Sequence, residues 1–176
     1  TLNPSSAASD VYKRQGYVLS APEGFGIGSS KNYYFSHMYN CIYDCRYCFL
    51  QGMYSSANYV IFVNFEDFDK EIEKVIQDNK DNKTTFFSGY DCDSLALETL
   101  TGFAKHITTL FTKYPDVDIE FRTKSVQTEP FTSIEPLKNV IVAYSLMPSL
   151  MSKVLDNKTP SILKRINAMS HLAAKG

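Results

Sequence analysis

From Tyr33 onward the chain alternates short apolar runs with amphipathic stretches, and this alternation limits the fold more than any other feature. Repeated strand-helix units are the expectation. Tyr33 to His37 reads as a first strand, and Tyr59 to Val63 is also strand-like. Asn64 is placed to cap a helix that carries Glu66 and Asp67 in its first turn and Phe68, Ile72, Val75 and Ile76 on one face. Thr84 to Ser88 predicts a second strand. Ser94 to Lys113 predicts a longer helix with an apolar stripe of Leu97, Leu100, Ala104, Ile107 and Phe111, closed by Pro115. In the third strand, Val117 to Lys124, Val117, Ile119 and Phe121 alternate with Asp118, Glu120 and Arg122. A short helix near Glu129 to Leu137 precedes a fourth strand, Asn139 to Leu146, apolar enough to be covered by helices on both faces. Thr159 then caps a last helix with Pro160 at its first position and Gly176 just past its end.

The fold class is therefore α/β, with about four strand-helix units and a parallel sheet with right-handed crossovers. A complete (β/α) barrel needs about 250 residues. The 176 residues here suit a partial TIM-like barrel truncated after about four units. Residues 16–176 form that unit. The opening Thr1 to Gln15 has no helical or strand period and is expected to be a non-native or disordered leader.

Eighteen basic and nineteen acidic side chains give a formal charge of −1, which excludes an overall basic field for nucleic acid or anionic membrane. No apolar run approaches the roughly 20 residues of a membrane span. The cytoplasm is the expected compartment, and no membrane partner is expected.

Three of the four cysteines lie close together as Cys41, Cys45 and Cys48, spaced CxxxCxxC on the loop that leaves the first strand. Crowded thiolates repel unless a cation holds them, so the triplet reads as a metal site rather than a disulfide framework. Three sulfurs suffice for three irons of a cubane and leave its fourth iron open. Zinc held by the triplet with His37 or Cys92 is the alternative, in a binding module without catalysis. Gly24 to Gly28 precedes a strand and reads as a turn rather than a phosphate loop. His106 and His171 lie on helices without a catalytic role, and Lys164 and Arg165 read as a solvated helix face.

The triplet, with aromatic Tyr47 before its last cysteine, resembles the signature of the radical S-adenosylmethionine (SAM) superfamily. Tyr33 to His37, Tyr47 to Gln51, Asp93 to Leu97 and Arg122 to Ser125 narrow the resemblance, in order and spacing, to the spore photoproduct lyase family over roughly Gly16 to Gly176. The resemblance implies a [4Fe-4S] cluster on Cys41, Cys45 and Cys48. SAM would bind its open iron and be cleaved reductively to a 5′-deoxyadenosyl radical. It also implies packing by Tyr47 and Phe49 around the cofactors, contact of Lys124 and Ser145 with SAM, and a reducing partner such as a flavodoxin or ferredoxin. Family lyases that repair the thymine dimer of spore DNA use a cysteine after the second strand as hydrogen-atom donor. That position holds Tyr90 here, with Cys92 two residues on. DNA is the implied substrate, and the same radical chemistry on another substrate is the alternative.

Overall fold

Period-two and wholly apolar runs become strands where a sheet can bury one or both faces. A computed structural model describes residues 16–176, so the leader assigned to Thr1–Gln15 lies outside the described residues. Five strands, β1 (Val18–Ser20), β2 (Lys31–Phe35), β6 (Thr84–Ser88), β7 (Asp118–Thr123) and β8 (Val140–Tyr144), form one sheet in the order β1-β2-β6-β7-β8. The pairs β2/β6, β6/β7 and β7/β8 are parallel, as the alternation predicts. β1 adds an antiparallel edge, with Val18 opposite Phe35. Its short sequence carried no such signal. The carboxylate of Glu71 holds it in place by accepting the N–H groups of Tyr17 and Val18, at 2.6 and 2.9 Å.

Outside the large sheet the chain makes two small ladders. β3 (Met38–Tyr39) pairs with β5 (Val60–Ile61), and β4 (Asp44–Cys45) pairs with β9 (Asp156–Asn157), both antiparallel. β5 falls inside the strand-like Tyr59 to Val63, whereas the other two-residue strands have no period to read and the sequence did not reveal them.

The core lies between the sheet and the helices α2 (Phe65–Asp78) and α4 (Phe103–Phe111). α2 buries Phe68, Ile72 and Ile76, three of the four residues its periodicity predicts, and leaves Val75 partly buried. All five residues of β6 are buried, because neighbouring strands flank it and layers cover both faces. Phe103 is fully buried, with its ring centroid 6.0 Å from Phe35, 5.0 Å from Phe65 and 5.3 Å from Phe68.

Several expected elements differ. The helix expected over Ser94 to Lys113 is two: α3 (Glu98–Thr101) and α4, separated by Gly102 at φ 62°. The left-handed glycine turns the chain while its N–H bonds Glu98 O at 2.8 Å. The Glu98 carboxylate then caps α4 by accepting the N–H groups of Ala104 and Lys105, at 2.8 and 3.1 Å. The break swings Leu100 outward to 71% exposure, off the predicted stripe, and α4 ends before Pro115.

Glu120 is buried instead of facing solvent and pairs at 2.7 Å with Arg122, which lies on the same face and stays exposed. β8, expected to be covered on both faces, is only half-buried along its whole length. The predicted helix over Glu129 to Leu137 is one turn, α5 (Glu129–Thr132). A further helix, α6 (Ser149–Leu155), follows β8. The last helix, α7 (Ile162–Ala173), is capped by Ser161, whose hydroxyl accepts the Lys164 N–H, and not by Thr159. Arg165 is not a solvated residue: it is fully buried and paired with Asp156 at 2.9 Å. Lys164 is exposed, as expected. The Gly24 turn also holds: Phe25 N–H closes on Pro22 O at 3.0 Å with Gly24 at φ 80°.

His37, just past β2, stacks on Phe103 with centroids 4.3 Å apart and planes at 10°. It is 1% exposed, and its Nδ1 has no hydrogen-bond partner among the described residues. Burial pushes its pKa down to about 3. A depressed histidine contributes stability above its unfolded pKa near 6.5, and that contribution is lost as pH falls toward the folded value. The expected loss is about 1.4 kcal/mol per pH unit below that point, about 2 kcal/mol by pH 5. Urea unfolding of wild type and His37→Phe from pH 7.5 to 5 measures it. The variant keeps the ring stack and should show the shallower decline, and parallel curves would refute the assignment.

Candidate active site

The parallel strands β2, β6, β7 and β8 deliver their C-terminal ends to one face of the sheet, where the sequence places every candidate residue. The turn after β6 depends on Gly89. At φ 79°, its missing Cβ would fall 2.5 Å from Ser94 Oγ. Ser94 Oγ donates to Ser88 O at 2.6 Å and brings Asp93 beneath the strand ends.

Asp93 is a fixed acceptor at the centre. Its Oδ1 accepts Thr123 Oγ1 at 2.6 Å and Leu95 N at 3.0 Å, and its Oδ2 accepts Lys124 N at 2.7 Å. Burial pushes its pKa up, against the hydrogen bonds from Thr123, Lys124 and Leu95 that favour the charged form. One carboxylate thus joins the ends of β6 and β7.

The cysteine loop packs over this point. Asn40, at φ 66°, turns the chain into it, and its side-chain amide donates to Ser56 O and Asn58 O at 2.9 and 2.6 Å. Cys41 is partly buried. Burial, followed by the charge of Asp93, pushes its thiol up to about 11, although the N–H groups of Tyr43 and Asp93 favour the thiolate. Cys45 is buried in β4. Its thiol is raised by burial and eased downward by the Lys124 ammonium. Cys48, partly buried, follows in a turn in which its N–H bonds Cys45 O at 3.0 Å, and α1 (Leu50–Met53) begins just beyond.

The aromatic candidates bracket this loop. Tyr47 donates from Oη to Asp156 Oδ1 at 2.6 Å, and Lys124 Nζ stands 5.6 Å from its ring centroid. Burial and then the Asp156 bond raise the Tyr47 phenol. Phe49 lies 5.9 Å from the ring of Tyr90, which also packs on Tyr34 at 4.4 Å and Phe25 at 5.8 Å. Cys92 lies below this layer, fully buried. Its thiol is raised far above its ordinary value by burial and by Asp93. Ser145, at the end of β8, donates its N–H to Thr123 O at 2.9 Å.

Tyr47, Lys124, Phe49, Tyr90 and the cysteine loop are therefore neighbours, while Cys92 sits on the interior side. Sequence reasoning missed Asp93 as a hub, together with Asp156 and Arg165. Asp93 stood inside a motif that was noticed, whereas Asp156 had no local signal.

Among the described residues, no three His, Cys, Asp or Glu side chains are gathered closely enough to form a ready metal site. The donor chemistry nevertheless fits a cluster. Three thiols share one short loop, the charge of Cys45 is felt by Cys41 and that of Cys48 by Cys45, and Lys124 supplies a compensating cation. Thiolates brought together without a cation would repel, so convergence is coupled to binding. His37 stacks on Phe103 within the core cluster.

The family model for spore photoproduct lyase matches residues 27–176. The fold is similar to a spore photoproduct lyase double mutant with bound AdoMet and dinucleoside spore photoproduct: TM-score 0.77 and 20% identity, covering 82% of this chain and 43% of that one. It is also similar to a spore photoproduct lyase complexed with dinucleoside spore photoproduct, with TM-score 0.75, 19% identity, and coverage of 81% and 43%. The comparison with curated proteins gives no match. The chain spans less than half the length of these solved structures. With the family model covering most of its length and a parallel sheet that carries the cysteine loop, the chain belongs to the spore photoproduct lyase family.

Proposed function

We propose that this chain is the cofactor-binding part of a radical SAM enzyme that repairs a thymine dimer in DNA, its four parallel strands forming the N-terminal half of a (β/α) barrel. The observation that carries the reading is the three-cysteine loop lying over the C-terminal strand ends with Lys124 beside it. Cys41, Cys45 and Cys48 would hold a [4Fe-4S] cluster. When bound, that cluster supplies the electron for reductive cleavage of SAM to a 5′-deoxyadenosyl radical. The electron would come from a flavodoxin- or ferredoxin-like donor.

The chain's own side chains then divide the work. The Lys124 ammonium offers a charge-assisted partner for the methionine carboxylate of SAM, and Ser145 a further contact. Tyr47 and Phe49 provide flat apolar surface beside the loop and exclude water from it. Tyr90, packed on Phe49, is the better-placed hydrogen-atom donor from its phenol, since Cys92 is buried beneath. Both solved structures carry dinucleoside spore photoproduct and one of them also AdoMet, which supports the substrate class and the cofactor. The cytoplasm suits such a reduced cluster, and among the described residues no helix is long and apolar enough to cross a membrane.

Anaerobically purified full-length protein should contain iron and acid-labile sulfide and form 5′-deoxyadenosine from SAM with dithionite. Stoichiometric zinc alone would overturn the reading in favour of a zinc-binding module. Activity on SAM without repair of dimer-containing DNA would favour another substrate. Tyr90→Phe should lower dimer repair by about tenfold or more while 5′-deoxyadenosine formation persists, in the range of a lost hydrogen-transfer group. Cys92→Ala should repair at near the wild-type rate. The reverse pattern would make Cys92 the donor.

A further inference from the structure

The cysteine loop is tied to a segment 109 residues later in the chain. Cys45 pairs with Asp156 in the β4/β9 ladder, Arg46 N–H donates to Leu155 O at 2.9 Å, and Tyr47 Oη donates to Asp156 Oδ1 at 2.6 Å. The second Asp156 oxygen accepts Arg165 Nη2 at 2.9 Å and Ser152 Oγ at 3.2 Å. Arg165 spends its remaining donors on backbone and hydroxyl: Nε on Pro160 O at 2.8 Å, Nη1 on Ser145 O at 2.9 Å and Nη2 on Thr159 Oγ1 at 2.5 Å. Both charged side chains are 0% exposed.

A buried ion pair is a weak source of stability, because desolvation offsets most of the attraction and apolar residues of similar volume would pack as well. An apolar pair would, however, give Tyr47 no directed acceptor and the Ser145 carbonyl no directed donor. The pair reaches Tyr47 on the cysteine loop and the Ser145 carbonyl just past β8, while Ser152, Thr159 and Pro160 anchor it within its own segment. Tyr47 is held between two charges, Asp156 at its hydroxyl and Lys124 over its ring.

We infer that Asp156 and Arg165 are positioning residues for the cysteine loop, which they fix, through Tyr47 and the Ser145 carbonyl, in one frame with Lys124 and the end of β8. The purpose of this tether rests on the cofactor reading proposed above, but the tether itself does not.

Hydrogen exchange on the full chain without cofactor tests the tether directly. Asp156→Ala should raise amide exchange across residues 45–49 by about tenfold or more, while the amides of β6 keep their protection. Tyr47→Phe removes a single hydroxyl and should raise it by about threefold in the same segment. Asp156→Asn, which keeps an acceptor for Tyr47, should fall between wild type and Asp156→Ala. Exchange at residues 45–49 equal to wild type in folded Asp156→Ala would overturn the inference. If that variant does not fold, Tyr47→Phe decides in the same way.

In protein loaded with iron and sulfide, Tyr47→Phe should also raise KM for SAM several-fold with a smaller change in kcat, because the freed loop no longer keeps a fixed place beside Lys124 and Ser145. An unchanged KM would reject the shared frame. If wild type takes up no iron and sulfide, the cofactor reading fails and the exchange result still stands.

Discussion

Alanine at Cys41, Cys45 or Cys48 is expected to leave less than about a tenth of the wild-type iron and acid-labile sulfide, and no measurable 5′-deoxyadenosine. The reason lies in the count of donors. The carboxylates beside the triplet, Asp93 and Asp156, are already engaged, Asp93 by Thr123, Leu95 and Lys124 and Asp156 by Tyr47, Arg165 and Ser152. Cys92, although near Cys41 electrostatically, is fully buried with its sulfur beside the Met38 N–H, and it would have to leave the interior to substitute. Cys92→Ser should therefore load normally and serves as the control. Apo-protein stability separates loss of ligand from loss of fold. Cys48 is partly buried and should cost little on substitution, whereas Cys45, buried in β4, should cost about 1 kcal/mol. Iron content that falls with all three variants but not with stability identifies the ligands. Normal loading of any one of them would remove that cysteine from the set.

Much of the frame for this site was legible. β6 has the predicted bounds, Thr84–Ser88, because a buried central strand is written as a short uninterrupted β-former run. α2 starts after Asn64 as expected, because the spacing of Phe68, Ile72 and Ile76 can serve only a helix, although the Asn64 amide donates to Asp67 and Tyr17 instead of capping a backbone N–H. The parallel order of β2, β6, β7 and β8 follows from helices lying between them. The cysteine triplet was legible because its spacing is chemical rather than structural.

What escaped notice was set by contacts distant in sequence. Gly102 splits a helix whose apolar stripe reads as continuous, since periodicity does not register a single residue at positive φ. The solvated-face reading of Arg165 failed because the acceptors that hold it, Asp156 and the carbonyls of Ser145 and Pro160, are gathered only by the turn after β9. A lone arginine beside a lysine on a helix reads as surface until its acceptors are seen. Tyr47 was selected for its ring, while its hydroxyl, bonded to Asp156, ties the loop down.

Asp93 gives the sharpest expected effect on stability. Its two oxygens receive three donors and face no acceptor that would need a proton from it, so only a carboxylate satisfies the site. Asp93→Ala strands the Thr123 hydroxyl and the N–H groups of Leu95 and Lys124, and should destabilise the protein by about 3 kcal/mol. Asp93→Asn is nearly isosteric, but its amide can offer an oxygen to only one side of the carboxylate position. With the oxygen toward Thr123 and Leu95, its NH₂ confronts the Lys124 N–H. Turned the other way, it confronts Thr123 and Leu95. The asparagine variant should therefore lose about 2 kcal/mol in spite of its shape. Because the Asp93 N–H also faces the Cys41 sulfur, both variants should load less iron than their residual stability alone would allow. Urea unfolding together with iron analysis of the two variants tests this. Asparagine behaving like wild type would show that the carboxylate charge and its second acceptor are dispensable, and that the strand ends are held by packing instead.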